Sequence, residues 1–104
     1  LLKEMYIDWD AYAWVIDSKR RQDILKVLRK DIAKTTKQIR IDSQRTIKTD
    51  SGEPIIIRIS AIKTRKILKQ FLEKGLIDVK KKKRGRRVFT ITEKGERILG
   101  MMLR

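Results

Sequence analysis

The sequence contains no cysteine, no histidine and a single proline among its 104 residues. Disulfide frameworks, thiolate nucleophiles, imidazole bases and zinc sites with their usual ligands are therefore excluded. The uncharged apolar stretches are only a few residues long, too short to span a bilayer, and the N-terminus lacks the basic-then-apolar pattern of a secretory signal. We expect a soluble cytoplasmic protein that is not an enzyme and uses no metal or cofactor.

Positive charge is what the chain has in excess, with 28 Lys and Arg against 13 Asp and Glu and a net charge of +15. Hydrophobic residues make up 40%, enough for one core, so residues 1–104 are predicted to form a single domain. The charge is uneven: residues 1–17 are acidic and aromatic, whereas residues 60–87 hold 12 basic residues against two acidic ones. Such a concentration indicates a polyanionic partner, in particular nucleic acid.

Capping signals and apolar spacing predict three helices in the first three quarters of the chain. The first is capped by Asp17 or Ser18 and runs to about Lys30. Thr35 and Gln38 form a capping box that opens the second, which Ile41 and Ile47 allow to reach about Lys48. Ser60 caps the third, whose apolar side includes Thr64 and which Gly75 ends.

The remaining segments predict strands and a last helix. A turn at residues 50–54 leads to the β-branched run 55–59, read as a strand. Residues 76–79 and 88–91 form a hairpin whose tip, residues 80–87, has seven Lys or Arg in eight positions, with Gly85 available for a positive φ. Thr92 caps the helix of residues 92–104, whose apolar stripe contains Ile98, Leu99, Met102 and Leu103.

Several short motifs of the sequence resemble those of the winged helix-turn-helix regulators of the MarR-like and related archaeal groups. The first helix carries Ser18, Arg21, Ile24, Leu25 and Leu28 at the spacing seen there, and Thr35 and Ile39 match the second helix. More specific is the pair formed by residues 73–77, Glu-Lys-Gly-Leu-Ile, and residues 92–95, Thr-Glu-Lys-Gly. The resemblance covers roughly residues 18–98 and departs from the family at one place: about twenty residues separate Ile39 from Ser60, where the family has a short turn.

The resemblance implies an α+β winged helix-turn-helix fold, with a three-helix core, a β-hairpin wing, and flanking N- and C-terminal helices. Residues 55–59 would then serve as a third strand of the wing sheet. It also implies a regulator that binds double-stranded DNA as a homodimer, with helix 60–74 in the major groove and wing 80–87 on the backbone or in the minor groove. The DNA-binding residues would be Ser60, Lys63, Arg65, Lys66, Lys69, Lys81, Lys82, Lys83, Arg84, Arg86 and Arg87.

Other interpretations stay open at this point. Lysine is a point charge with little ability to read bases, so a sequence-neutral, chromatin-like protein or an RNA-binding protein fits as well, as does a winged-helix subunit that contacts other proteins. The aromatic residues Tyr6, Trp9, Tyr12 and Trp14 lie in the acidic segment, which favours core or interface packing over base stacking. That segment and the C-terminal stripe are the basis for expecting a dimer, and Asp8 and Asp10 are interpreted as surface charge.

Overall fold

A computed structural model describes residues 7–104, except for the side chain of Lys83. Five α-helices, one short 3-10 helix (Lys83–Gly85) and four strands lie in this part of the chain, joined in an α+β domain. The expectations for Tyr6 and for the rest of residues 1–6 fall outside the described residues. Between residues 7 and 104, no helix is long and apolar enough to cross a membrane.

Each helix begins at a polar residue whose side chain accepts a backbone N–H of the first turn. The helices are α1 (Trp9–Ile16), α2 (Lys19–Val27), α3 (Thr36–Asp42), α4 (Ala61–Glu73) and α5 (Glu93–Met102). Their N-caps are Asp8, Ser18, Thr35, Ser60 and Thr92. The capping box of Thr35 and Gln38 is present in full, with both reciprocal hydrogen bonds formed. The predicted starts of the last four helices are therefore confirmed.

The four strands form two separate antiparallel hairpins. β1 (Arg45–Lys48) pairs with β2 (Pro54–Ile57), with Thr46 opposite Ile56. β3 (Ile77–Lys81) pairs with β4 (Arg87–Ile91), with Val79 opposite Phe89. We call residues 45–57 the insert hairpin and residues 77–91 the basic hairpin.

The core lies where α2, α3, α4 and α5 meet the base of the basic hairpin. Its largest fully buried side chain is Phe71, and other members include Ile24, Leu25, Ile39, Leu68 and Ile98. Trp14 packs edge-on against Phe71 with ring centroids 5.5 Å apart, and Arg21 and Lys74 lie 4.2 and 4.7 Å from the Trp14 ring centroid. Ala11 and Val15 of α1 belong to the core and Tyr12 and Trp14 pack against it, whereas Trp9 is 60% exposed.

Two expectations about helix ends are wrong. The first helix stops at Val27 because Leu28 turns to an extended conformation, and the chain after it pairs with β4: Lys34 and Phe89 exchange backbone hydrogen bonds of 3.0 and 2.8 Å. The second helix ends at Asp42 rather than near Lys48, because the residues after Ser43 form β1. Tertiary pairing overrides the local apolar spacing in both places.

The strand near residues 55–59 exists as β2, yet it is not a third strand of the basic hairpin's sheet. Its partner is β1, in the segment predicted to extend the second helix. The long connection between α3 and α4 is therefore filled by the insert hairpin. The basic hairpin instead meets the segment before α3, through the Lys34–Phe89 bridge and a 3.1 Å hydrogen bond from the Ile91 N–H to the Arg29 carbonyl.

The C-terminal apolar stripe also differs from expectation. Ile98 is buried, and Leu99 and Met102 pack against the same core, so the chain itself covers most of the stripe. Leu103 remains 65% exposed. The stripe consequently gives little support to the expected dimer.

Candidate functional site

The orientation of α4 about its axis is fixed by its buried side. Ile67, Leu68 and Phe71 face the core, and Thr64 is fully buried with its hydroxyl donating to the Ser60 carbonyl at 2.9 Å. The Ser60 hydroxyl accepts the Lys63 N–H at 3.2 Å and closes the first turn. The opposite side is solvent-exposed and presents the predicted basic residues Lys63, Arg65, Lys66 and Lys69.

The basic hairpin holds its cations on a tight, hydrogen-bonded tip. The Lys82 N–H donates to the Arg86 carbonyl at 2.6 Å, and the Gly85 N–H donates to the Lys82 carbonyl at 3.1 Å. Gly85 has the positive φ expected of it, +74°, and Arg84 also has a positive φ of 72°. The exposed cations of the basic hairpin are Lys80 and Lys81 at the end of β3, Lys82, Arg84 and Arg86 in the tip, and Arg87 at the start of β4.

A groove of about 450 Å³ joins α4 to the basic hairpin. Its floor is apolar, with Leu68, Leu72 and Phe89, and its basic side chains are Arg65 and Lys69 from α4 and Arg87 from β4. The two predicted halves of the site thus meet along one surface, which we call the basic face: the exposed side of α4 together with residues 80–87 of the basic hairpin.

The beginning of α3 extends this surface. A second depression, about 410 Å³ in volume, is lined by Thr35, Thr36 and Lys37 together with Arg86 and Arg87. Lys37 is exposed and belongs to the basic face, although sequence reasoning did not single it out. The available signal was its place in the first turn after the capping box, where side chains project beside the helix terminus.

The salt bridges of the described structure all lie outside the basic face. Among the described side chains, five cations pair with carboxylates, and all lie outside the basic face: Lys30 with Glu96, Lys34 with Asp42, Arg45 with Asp23, Lys94 with Asp8, and Arg97 with Glu93. None of the described candidate residues has an acidic partner within 4.0 Å. The basic face therefore concentrates positive charge that the fold does not neutralise.

The structure brings most of the predicted residues together, though not at one point. Arg65, Lys69 and Arg87 line the groove, and Arg86 lines the second depression. Lys63 and Lys66 are exposed on α4 outside the groove, while Lys81, Lys82 and Arg84 extend towards or form the hairpin tip. The side chain of Lys83 lies outside the described part of the structure.

One exposed apolar residue on α4 was missed. Ile62 is 79% exposed, the highest value among the exposed large hydrophobic residues. Residues three and four positions apart are neighbours on a helix, so Ile62 adjoins Arg65 and Lys66. This spacing could have identified Ile62 from the sequence, because it places the isoleucine beside the cations of α4 and not on the buried side of the helix.

Asp8 differs from its interpretation as plain surface charge. Its Oδ1 accepts the Ala11 N–H at 3.0 Å as the N-cap of α1, and its Oδ2 lies 2.8 Å from Lys94 Nζ. The hydrogen bond from Lys94, followed by the backbone N–H of Ala11, lowers the pKa of Asp8 below its ordinary 3.8. Asp8 thus connects α1 to α5, whereas Asp10 is exposed in the first turn of α1.

The acidic residues of residues 7–104 form no group of three or more that could hold a metal ion. The side chains that line the two depressions of the basic face are Lys and Arg cations, threonine hydroxyls and a few apolar groups. Comparison of the chain with protein-family models, with curated proteins and with solved structures finds no significant match.

Proposed function

We propose that the protein is a winged helix-turn-helix transcriptional regulator that binds double-stranded DNA as a homodimer. In this proposal α4 enters the major groove and the basic hairpin is the wing, which lies along the phosphate backbone or in the adjacent minor groove. Residues 60–87 supply both elements, with the N-terminus of α3 alongside them.

The observation that carries the proposal is that the described cations of the basic face are gathered on one surface, where several line its two depressions, and have no acidic partner within 4.0 Å. Like charges placed this closely repel one another, and the repulsion is relieved when an anionic ligand binds. A row of phosphates, spaced regularly along a duplex, fits an elongated basic surface better than a single small anion does.

The shape of α4 suits this role. It has 13 residues and a length of about 20 Å, and the major groove of B-DNA, about 12 Å wide, admits one α-helix. Arg65 is the residue of α4 best suited to bidentate hydrogen bonds with guanine, Lys63 and Lys66 suit guanine or phosphate, and Ile62 offers an apolar contact to a thymine methyl group.

Selection of bound duplexes from a random pool tests the proposal. A regulator enriches a motif, and a homodimer enriches two related half-sites with two-fold symmetry. Retention of duplexes without any enriched motif would instead identify a sequence-neutral DNA-binding protein, in line with the many lysines of the basic hairpin. A pool of single-stranded RNA, tested in parallel, distinguishes an RNA-binding protein.

A further inference from the structure

The insert hairpin stands apart from the core of the domain. Among residues 7–104, the buried core includes no residue of β1 or β2. Ile47, Ile55 and Ile56 are 48, 49 and 57% exposed. A two-stranded hairpin is marginally stable alone in water, and apolar side chains beside an unpaired strand edge form an association surface. The insert hairpin therefore has the character of an interaction element.

Its charge argues against nucleic acid as the partner. Residues 49–57 contain no Lys or Arg and include Asp50 and Glu53, in a chain whose net charge is +15. Phosphates would be repelled by the two carboxylates and would find no cation along β2. Two copies of this chain repel each other over most of their surface because both are strongly basic. β2 carries no Lys or Arg, so two β2 edges can approach each other without opposing cations.

Hydrogen bonding within the insert hairpin determines which backbone groups of β2 are free. The Thr49 N–H donates to the Glu53 carbonyl at 3.0 Å, and pairs along an antiparallel ladder alternate between bonded and non-bonded. Ile47 and Ile55 are then a bonded pair, whereas the N–H and carbonyl of Ile56 point away from β1. Pro54, which lacks an N–H, falls in a non-bonded pair with Lys48, so its missing donor costs the hairpin no bond.

We infer that β2 is a self-association edge, at which two copies of the chain pair antiparallel about a two-fold axis at Ile56. Ile56 then faces its own copy through two backbone hydrogen bonds, and Ile55 of each protomer faces Ile57 of the other. Arg58 lies opposite Pro54, so no cation faces a cation across the axis. Because Pro54 has no N–H, this outer pair lacks one of its two backbone hydrogen bonds, and the backbone pairing is centred on Ile56. The edge of β1 is a poorer choice because it carries Arg45 and Lys48.

This arrangement deepens the homodimer of the proposed function by locating its interface. Ser60, which caps α4, is four positions after Ile56. With about 3.3 Å per residue along a strand and about 4.8 Å between paired strands, the two Ser60 residues lie at most about 27 Å apart. Half-sites one turn of DNA apart are centred about 34 Å from each other, a separation of the same order as that between the starts of the two α4 helices.

Sedimentation of the full chain without DNA tests self-association. Five residues per protomer form a small interface, so we expect a concentration-dependent dimer in the micromolar range rather than a permanent one. Raising NaCl from 50 to 500 mM screens the repulsion between two basic protomers and should tighten the dimer, the opposite of its effect on DNA binding. A monomer at all concentrations up to 200 µM in 500 mM NaCl would overturn the inference.

Substitution at the proposed axis separates this edge from other surfaces. Ile56→Lys places two cations against each other and should weaken the dimer at least tenfold, with no loss of fold because the side chain is more than half exposed. Ile32→Lys is the matched control, since Ile32 is 55% exposed and lies outside the insert hairpin. Equal weakening by both variants, or by neither, would contradict the interface.

The absence of native cysteine allows the register to be tested by cross-linking. Ile56→Cys should be converted to a covalent dimer by a short bis-maleimide faster than Ser51→Cys, whose position at the tip lies far from the axis. Faster reaction of Ser51→Cys would overturn the register. All these measurements omit DNA, so their failure leaves the DNA-binding proposal standing, and a failed duplex selection leaves the dimer edge standing.

Discussion

The Thr92 hydroxyl donates a 2.7 Å hydrogen bond to the Gly75 carbonyl and accepts the Gly95 N–H at 3.1 Å. It thus links the end of α4 to the beginning of α5. Close by, the Lys94 ammonium donates to the Lys74 carbonyl at 2.9 Å. Residues 73–77 and 92–95 therefore lie in contact. These are the two motifs on which the resemblance to winged helix-turn-helix regulators mainly depends. Their pairing at a fixed separation reflects a shared junction at the base of the basic hairpin.

Gly95 should not tolerate a side chain at this junction. A Cβ there would overlap the Leu76 carbonyl oxygen and come within 2.7 Å of Ile91 Cγ1, and backbone cannot move aside as a flexible side chain does. We expect Gly95→Ala to lower the free energy of unfolding by about 2 kcal/mol or more. Gly100→Ala, on the same helix with open space around it, should raise it by about 0.5–1 kcal/mol. Urea unfolding of both variants measures the difference, and equal effects would contradict the packing described.

Asp8 predicts a pH dependence of stability. Because its pKa is lower in the folded chain than its ordinary 3.8, ionised Asp8 stabilises the fold above that pH, and the stabilisation is lost as the pH falls through the lowered pKa. Asn is also a good N-cap, so Asp8→Asn keeps the cap and removes the ion pair with Lys94. The stability difference between wild type and Asp8→Asn should be present at pH 7 and should shrink as the pH falls below 3.8. A difference that persists unchanged in acid would exclude this role.

Local signals predicted the helix starts because each depends on a few adjacent residues. Ser18, Thr35, Ser60 and Thr92 all cap helices as expected. β1 escaped prediction because residues 45–48 become a strand only through pairing with residues 54–57, and Ile47 fits a helical spacing equally well. The backbone pairing of Lys34 with Phe89 joins residues far apart in sequence and leaves no local signal.

The candidate site was predictable to a similar degree. The amphipathic pattern of α4 placed Thr64 inside and Lys63 and Lys66 outside, as the structure has them, whereas Arg65 and Lys69 were expected on the exposed side from the resemblance alone. The groove that unites α4 with β4 depends on how the basic hairpin folds back, which no sequence spacing determines. That the basic face binds DNA stays a prediction.

Duplex binding should depend steeply on salt. About 6 to 8 phosphate contacts per protomer give a log–log slope of about −5 to −7, at about −0.9 per neutralised phosphate. Fluorescence anisotropy with a labelled duplex between 50 and 300 mM NaCl measures the slope. A slope close to zero would exclude a phosphate-binding surface of this size.

The basic hairpin and α4 should contribute differently to DNA binding. Phosphate contacts position a protein on any duplex, whereas base contacts discriminate between sequences. Replacing Lys81 and Lys82 by Ala should weaken preferred and random duplexes alike and reduce the salt slope by up to about 2 units. The variant should still prefer the selected motif over random DNA by the same factor as wild type, as measured by competition between the two duplexes.

On α4 the outcome should be the reverse. Lys63→Ala or Lys66→Ala should cost about 1–3 kcal/mol on the preferred duplex and much less on random DNA if the side chain contacts a base edge. Ile62→Ala should reduce affinity only for sites with a thymine at the contacted position, because a methyl contact is lost without any change in charge. The salt slope should stay constant for Ile62→Ala, which makes it the control for electrostatic effects. Should all three α4 variants weaken both duplexes equally, α4 does not read sequence, and a sequence-neutral DNA-binding protein replaces the regulator.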